Sequence, residues 1–388
     1  MRDLLVSCLL SKISASTPVV IMWTFKKTSV PTASTDCGLK SRGHVAVLHG
    51  RRPMLRPLIY VLLIALTGYS QLPVTNIANH ITNPTDSVSK TVTEKPKPDR
   101  KKNSWGQITK EPAEFYAADD VSNFQINLTK KWYQIAAQAW GNYGPVEFWI
   151  VGSSEKSAAM LDQKYCEIRK QKDPTINLEN CLNRGHNFVS YAKDGNAGLN
   201  TRRNEHNQWS GFIITMSGKF PGPGEEDYMP VTLHEYFHVY QHAHIDSKKQ
   251  SERESRNQKN PWWAEGGAEY MAQLLYSRQK GVRPDYLRQK MQRKLNSLND
   301  LHEGESIRDI PYGKRGMIAY DLGAWFIAFL IHKTSEEAYQ VRFFDDLNRK
   351  GFEASFVKNF GGSSEKFLDE FHNTFLKLSL KGKLSILP

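Results

Sequence analysis

The sequence predicts an α+β fold: a small mixed α/β N-terminal lobe with an edge strand, then a mainly helical lobe, with a histidine-rich helix at the junction. Three observations predict it. β-rich runs, PVEFWIVG at 145–152 and GFIITMSGKF at 211–220, are interleaved with helical patterns. The Pro- and Gly-rich stretch FPGPGEEDYMP, 220–230, then interrupts the chain. Beyond it the periodic segments are helical.

The first seventy residues read as targeting rather than fold. Arg51, Arg52 and Arg56 precede PLIYVLLIAL, 57–66, an apolar run that suits a signal-peptide core and is short for a membrane span. Gly68 and Ser70 then stand at a −3/−1 pair, so cleavage is expected after Ser70. Met54 is a possible true start, and an uncleaved anchor at 57–66 is the alternative; both export the rest of the chain. Cys8 and Cys37 would be lost on cleavage, leaving Cys166 and Cys181 as the one pair able to form a disulfide, or two free thiols.

The net charge of +12 is unevenly spread: residues 1–70 hold nine Lys/Arg against two Asp/Glu, which accounts for +7 and leaves +5 for the remainder. That remainder argues no nucleic-acid partner. The basic run at 95–102 suits contact with nucleic acid or an anionic surface, and is explained equally well as a solvated tether. Residues 71–118, polar and Pro-containing, are expected to be a disordered linker.

Ordered structure is expected from Asp119, as one domain spanning 119–388 with its α/β lobe over 119–228 and its helical lobe over 229–388. TKKWYQIAAQAWGNYG, 129–144, has a helical start and a Gly stop, and strand 145–152 follows. Serines ahead of glutamate open a second helix over 153–172. The Asn-, Arg- and Gly-rich 195–209 reads as loop, and 211–220 as the next strand. After the break, helices are expected at 261–281, 284–300 and 317–333. The last of these is apolar, but Asp321 and its length favour a core helix over a membrane span. Phe367, Phe371 and Phe375 form one apolar stripe on a terminal helix, 363–378.

The junction helix carries HEYFHVYQHAH, 234–244, with four histidines in eleven residues. His234 and His238, four apart, share one helical face with Glu235 beside them, the H-E-x-x-H arrangement of a catalytic zinc helix. Tyr236, Phe237, Val239 and Tyr240 make the other faces apolar, so Glu235 is expected to be buried and needs a reason to be there. His244 stands where a longer pattern places a third ligand, yet on a continuing helix it lies about 15 Å along the axis from His234. That pattern turns the chain with Gly at 241, and here the residue is Gln241.

The other completion is WWAEGGAEY, 262–270. With H-E-x-x-H upstream, Trp262, Glu265, Gly266, Ala268 and Tyr270 follow W-x-x-E-G-x-A-x-Y, and the sequence resembles the gluzincin (thermolysin- and aminopeptidase-N-like) zinc metallopeptidases. The resemblance covers roughly residues 210–335 and implies a zincin-like fold with one Zn²⁺ per chain, held by His234, His238 and Glu265. It makes Glu235 the general base that takes a proton from zinc-activated water. Glu269, one turn after Glu265 on the same face, is placed to support a histidine ligand or to be a solvated helix carboxylate. The oxyanion-stabilising tyrosine of such enzymes matches Tyr320 in YDLGAWFIAFL, with Tyr312 in PYGKRG as rival. By the same resemblance GFIITMS would supply the edge strand along which a peptide lies.

The function implied is an exported zinc metallopeptidase acting on a peptide or protein substrate. An endopeptidase is favoured, since the amine-anchoring G-x-M-E-N motif of the exopeptidase branch is not found upstream of the zinc helix. The alternative is an exported, non-catalytic zinc-binding or scaffold protein with the same fold. The oligomeric state is not legible in the sequence.

Overall fold

The computed structural model describes residues 105–388. The expectations for the signal segment, for a start at Met54 and for most of the linker lie outside the described residues.

Within the stretch read as linker, residues 105–118 instead belong to the fold. Trp105 is buried and stacks on Phe212 at 4.2 Å. Strand β1, Gln107–Ile108, pairs with β3, Tyr143–Gly144, and β2, Glu114–Ala117, pairs in parallel with β4, Val146–Val151. Four residues ending in one half-buried ladder are too few to show a period of two, so polarity outweighed the strand signal. Helix α1, Asn123–Trp140, begins six residues before the expected 129, because Ser122 caps it by accepting from the Gln125 amide.

Helix α2, Glu155–Lys172, starts as predicted behind the Ser154 cap. Cys166 on α2 and Cys181 on α3, Leu178–Arg184, form a disulfide with Cα atoms 5.7 Å apart. Closing a 15-residue span contributes about 3 kcal/mol by the chain-entropy estimate. Helix α4, Phe188–Asp194, leads into β5, Ala197–Arg202, which is antiparallel to β6, Gly211–Ser217. The sheet order is β2-β4-β6-β5, so β6 lies inside the sheet and β2 and β5 are its two edges. This corrects the sequence expectation, in which 195–209 was loop and GFIITMS the edge. Every residue of β6 is buried, as a central strand requires, whereas β5 carries Asn200, Thr201 and Arg202 half-buried at its open side.

The two sheet faces have separate cores. Trp149 and Val151 of β4 pack with α2 and α4, and on that face buried Glu147 pairs with buried Arg169. Phe148 and Ile150 face the other way, towards α1 and α5, Tyr228–Ala243.

The helical lobe continues with α6, Gln250–Arg256, inside the polar stretch read as loop, and α7, Pro261–Ser277, with Pro261 at its first position. Then follow α8, Tyr286–Lys294, a 3₁₀ turn at Leu295–Asp300, and α9, Gly316–Lys333. Helix α9 is buried along most of its length, a core helix as expected, and no described helix is long and apolar enough to cross a membrane. It crosses α7 at two glycines. A Cβ on Gly266 would lie 2.4 Å from the Gly323 carbonyl carbon, and one on Gly323 would lie 2.3 Å from the Trp262 carbonyl oxygen. The glycine after Glu265 thus lets α9 pass directly beside that carboxylate. Short helices α10, Phe344–Lys350, α11, Phe352–Phe360, α12, Ser364–Asn373, and α13, Leu380–Leu384, close the lobe. Phe367, Phe371 and Phe375 are buried as one stripe.

Candidate metal centre

Helix α5 is apolar or buried on nearly every side, and its i, i+4 spacing brings His234 and His238 onto the face that meets α7. Glu265, one turn into α7, completes a triangle. His234 Nε2 and His238 Nε2 are 3.0 Å apart, and Glu265 Oε2 lies 3.2 and 3.1 Å from them. All three side chains are buried.

Polar contacts behind the rings set which ring nitrogen faces the triangle. His238 Nδ1 faces Gln241 Oε1 at 2.8 Å, and His234 Nδ1 faces Glu269 Oε2 at 3.3 Å. Oxygen acceptors at both Nδ1 atoms place the ring protons there and leave both Nε2 lone pairs converging on a carboxylate oxygen. Three electron-rich atoms so close require a positive charge among them. The protonation balance expresses the same demand: burial opposes a charged His234, but its bonds to Glu265 and Glu269 outweigh burial and raise it to about 9. Glu265, despite burial, is held well below the usual carboxylate range by the two rings. Zinc fits the donor set, since tetrahedral bonds of roughly 2.0–2.1 Å space ligand atoms at about 3.3 Å.

Glu235 is next to the triangle and buried. One oxygen accepts from the Leu199 amide of edge strand β5, and Oε1 has no hydrogen-bond partner among the described residues. Burial pushes its carboxyl up to about 7, against the pull of charge on His234 and His238. A divalent cation in the triangle would favour the carboxylate form again.

The two tyrosines both come to Glu265. Tyr312 donates to Glu265 Oε1 at 3.0 Å, the oxygen not in the triangle, and its ring lies 6.3 Å from that of Tyr320. Tyr320 also bonds Glu265 and lies near Glu235. They differ in access: Tyr312 is 36% exposed and Tyr320 only 4%. Burial first, then Glu265, raises both phenols well above their ordinary range, so both remain donors.

His244 is elsewhere. It ends α5, with Nδ1 on the Tyr240 carbonyl at 2.7 Å and Nε2 3.3 Å from the Tyr143 hydroxyl, among Tyr143, Tyr240 and Phe344. Gln241, noted in the sequence only as a missing glycine, has a positive role. It holds His238 through Oε1 and donates Nε2 to the Ala264 carbonyl at 2.8 Å, tying α5 to α7 beside Glu265. Its position three residues after His238 was the available signal. A second cluster, Cys166, Cys181 and His186, is close enough to hold an ion, but its sulfurs are joined in the disulfide.

Residues 227–312, the stretch from the start of the zinc helix to Tyr312, match the family model of the M61 glycyl aminopeptidases. This is a zincin-type zinc metallopeptidase domain. Neither the curated proteins nor the solved structures include a match to the chain. The metallopeptidase match spans both zinc motifs and the polar connection between them, so the long gap between His238 and Glu265 is accommodated within the family pattern.

Proposed function

We propose that this chain hydrolyses peptide bonds with Glu235 as general base and Tyr312 as oxyanion donor, at a single zinc held by His234, His238 and Glu265. The observation that carries the reading is the buried triangle with Glu235 beside it: a purely structural metal site has no use for a buried carboxylate with an unpartnered oxygen, which costs desolvation. The non-catalytic scaffold alternative leaves that carboxylate unexplained.

When bound, zinc supplies Lewis acidity, acidifying a water molecule and polarising a carbonyl oxygen. Glu235 takes the proton of the attacking water and returns it to the leaving amine nitrogen, so the base is regenerated. Burial sharpens this role, because a poorly solvated carboxylate is a stronger base than one in water. As the carbonyl becomes tetrahedral, the phenol hydrogen of Tyr312 turns from Glu265 to the developing negative oxygen. We assign this role to Tyr312 rather than Tyr320, because its partly exposed ring can meet a substrate while its hydroxyl reaches the ligand carboxylate. Tyr320, buried on α9, fixes Glu265 from behind. Accordingly Tyr312→Phe is expected to lower kcat roughly 100-fold or more, the usual loss of one oxyanion donor. Tyr320→Phe should cost less than about tenfold, and the reverse ranking in steady-state kinetics would exchange the two roles.

The matched family's description, glycyl aminopeptidase, favours removal of an N-terminal residue. Internal cleavage, the expectation from the sequence, is the second reading. Edge strand β5, which meets the zinc helix at Leu199, offers main-chain groups along which an extended peptide could run past the site on both sides. Matched peptides with free and acetylated N-termini separate the two. The aminopeptidase reading expects release of one residue from the free peptide and none from the blocked one. Equal internal cleavage of both establishes the endopeptidase. We also infer that the enzyme is exported, on the apolar segment 57–66 behind Arg51, Arg52 and Arg56 and on the Cys166–Cys181 disulfide.

A further inference from the structure

We propose that Lys294 and Asp321 are positioning residues of the metal centre, which hold Glu269, and through it His234, in the ligating orientation. This rests on the reading of His234, His238 and Glu265 as zinc ligands. The two oxygens of Glu269 are divided between two tasks. Oε2 meets His234 Nδ1 at 3.3 Å, while Oε1 takes Lys294 Nζ at 2.8 Å and Gln273 Nε2 at 2.9 Å. Lys294 Nζ is at the same time 2.8 Å from Asp321 Oδ1, and Asp321 Oδ2 accepts from Ser297 Oγ at 2.6 Å. Gln273 is itself fixed by the Tyr286 hydroxyl at 2.6 Å.

The arrangement is one cation between two carboxylates, contributed by three helices: Glu269 from α7, Lys294 from the end of α8 and Asp321 from α9. The Lys294 and Glu269 side chains are only 12% and 8% exposed. A buried ion network is a poor way to gain stability, since desolvation offsets much of the attraction and an apolar replacement often does as well. Its value is orientation. With Oε1 committed to Lys294 and Gln273, rotation of the Glu269 carboxylate would break both bonds, so Oε2 stays directed at the ring. A histidine whose Nδ1–H is fixed keeps Nε2 aimed at the metal, and partners of this kind affect affinity by about 10–100-fold. Lys294 touches no ligand and Asp321 lies one residue further out, so both act only through Glu269.

The test is zinc retention by the full chain. Zinc-loaded wild type, Lys294→Met, Lys294→Arg and Arg169→Met are challenged with a chromogenic chelator, and the release rate is read beside Tm. Arg169 pairs with Glu147 on the opposite face of the sheet, so its loss removes a buried ion pair remote from the centre. Lys294→Met is expected to release zinc at least tenfold faster, Lys294→Arg to restore most of the retention, and Arg169→Met to release zinc at the wild-type rate even where its Tm falls as far. Should Lys294→Met not fold, Asp321→Asn is read by the same criterion. Wild-type retention in Lys294→Met or Asp321→Asn overturns the proposal, as does equal acceleration in Arg169→Met. Failure of the underlying ligand assignment looks different: wild type would then bind no zinc, or Glu265→Ala would keep it.

Discussion

Glu235→Gln is expected to abolish peptide hydrolysis while leaving zinc bound. Gln has the same shape and can still accept from the Leu199 amide, but it cannot take a proton at neutral pH. The loss in kcat should be at least about 10³-fold, within the 10²–10⁴ range of a positioned general base. Glu235 is outside the ligand triangle, so metal analysis should return the wild-type zinc content. Stability should not fall, and could rise, because a buried carboxylate that burial already pushes up to about 7 is replaced by a neutral amide. Hydrolysis at the wild-type rate would sink the mechanism, and loss of zinc would make Glu235 a ligand instead of a base.

Glu265→Ala should remove zinc, and His244→Ala should not. Truncating Glu265 deletes the one anionic ligand and leaves two neutral imidazoles, so affinity should fall by on the order of 100-fold or more, beyond the 10–100-fold typical of outer partners. Tyr312 and Tyr320 lose their shared acceptor in the same variant, so activity should vanish with the metal. His244→Ala removes contacts with Tyr143, Tyr240 and Phe344 at the end of α5 and should cost stability without changing zinc content. Metal analysis of the purified variants side by side decides it. Zinc lost only from His244→Ala would overturn the ligand set.

The parts of the site that were legible in the sequence are those whose geometry is local. His234, Glu235 and His238 lie within five residues of one helix, so the 3.6-residue period alone places them on one side. Glu265 lies far along the chain and became legible through its own local signature, in which Gly266 has a packing reason that only the α7–α9 crossing reveals. For Glu269, one further turn along, the sequence leaves support of a histidine and a solvated carboxylate both open, and the structure buries it beside His234 Nδ1. Gln241 is marked in the sequence only by the absence of a chain-turning glycine, and its amide bridge between His238 and α7 is visible only in the structure.

The errors in the fold have a common origin. β2 and β5 lie at the two outer positions of the sheet and carry polar residues, Glu114 in β2 and Asn200, Thr201 and Arg202 in β5, so neither shows the apolar run that marks β4 and β6. Helix α6 consists of QSERESR and buries chiefly Arg253, so it has no apolar stripe to detect.

The sequence by itself determined the α+β class from the order of its β-rich and helical segments, placed His234, Glu235 and His238 together by spacing within one helix, and singled out Glu265 through the resemblance of WWAEGGAEY to a known family signature. Only the tertiary structure decided which strands form the sheet edges, which tyrosine is reachable, and which groups stand behind His234 and His238. Those depend on contacts between residues far apart in the chain: Leu199 with Glu235, Tyr312 with Glu265, and Lys294 with both Asp321 and Glu269. A period along one element constrains the directions of its own side chains, but it carries no information about which other element will meet them.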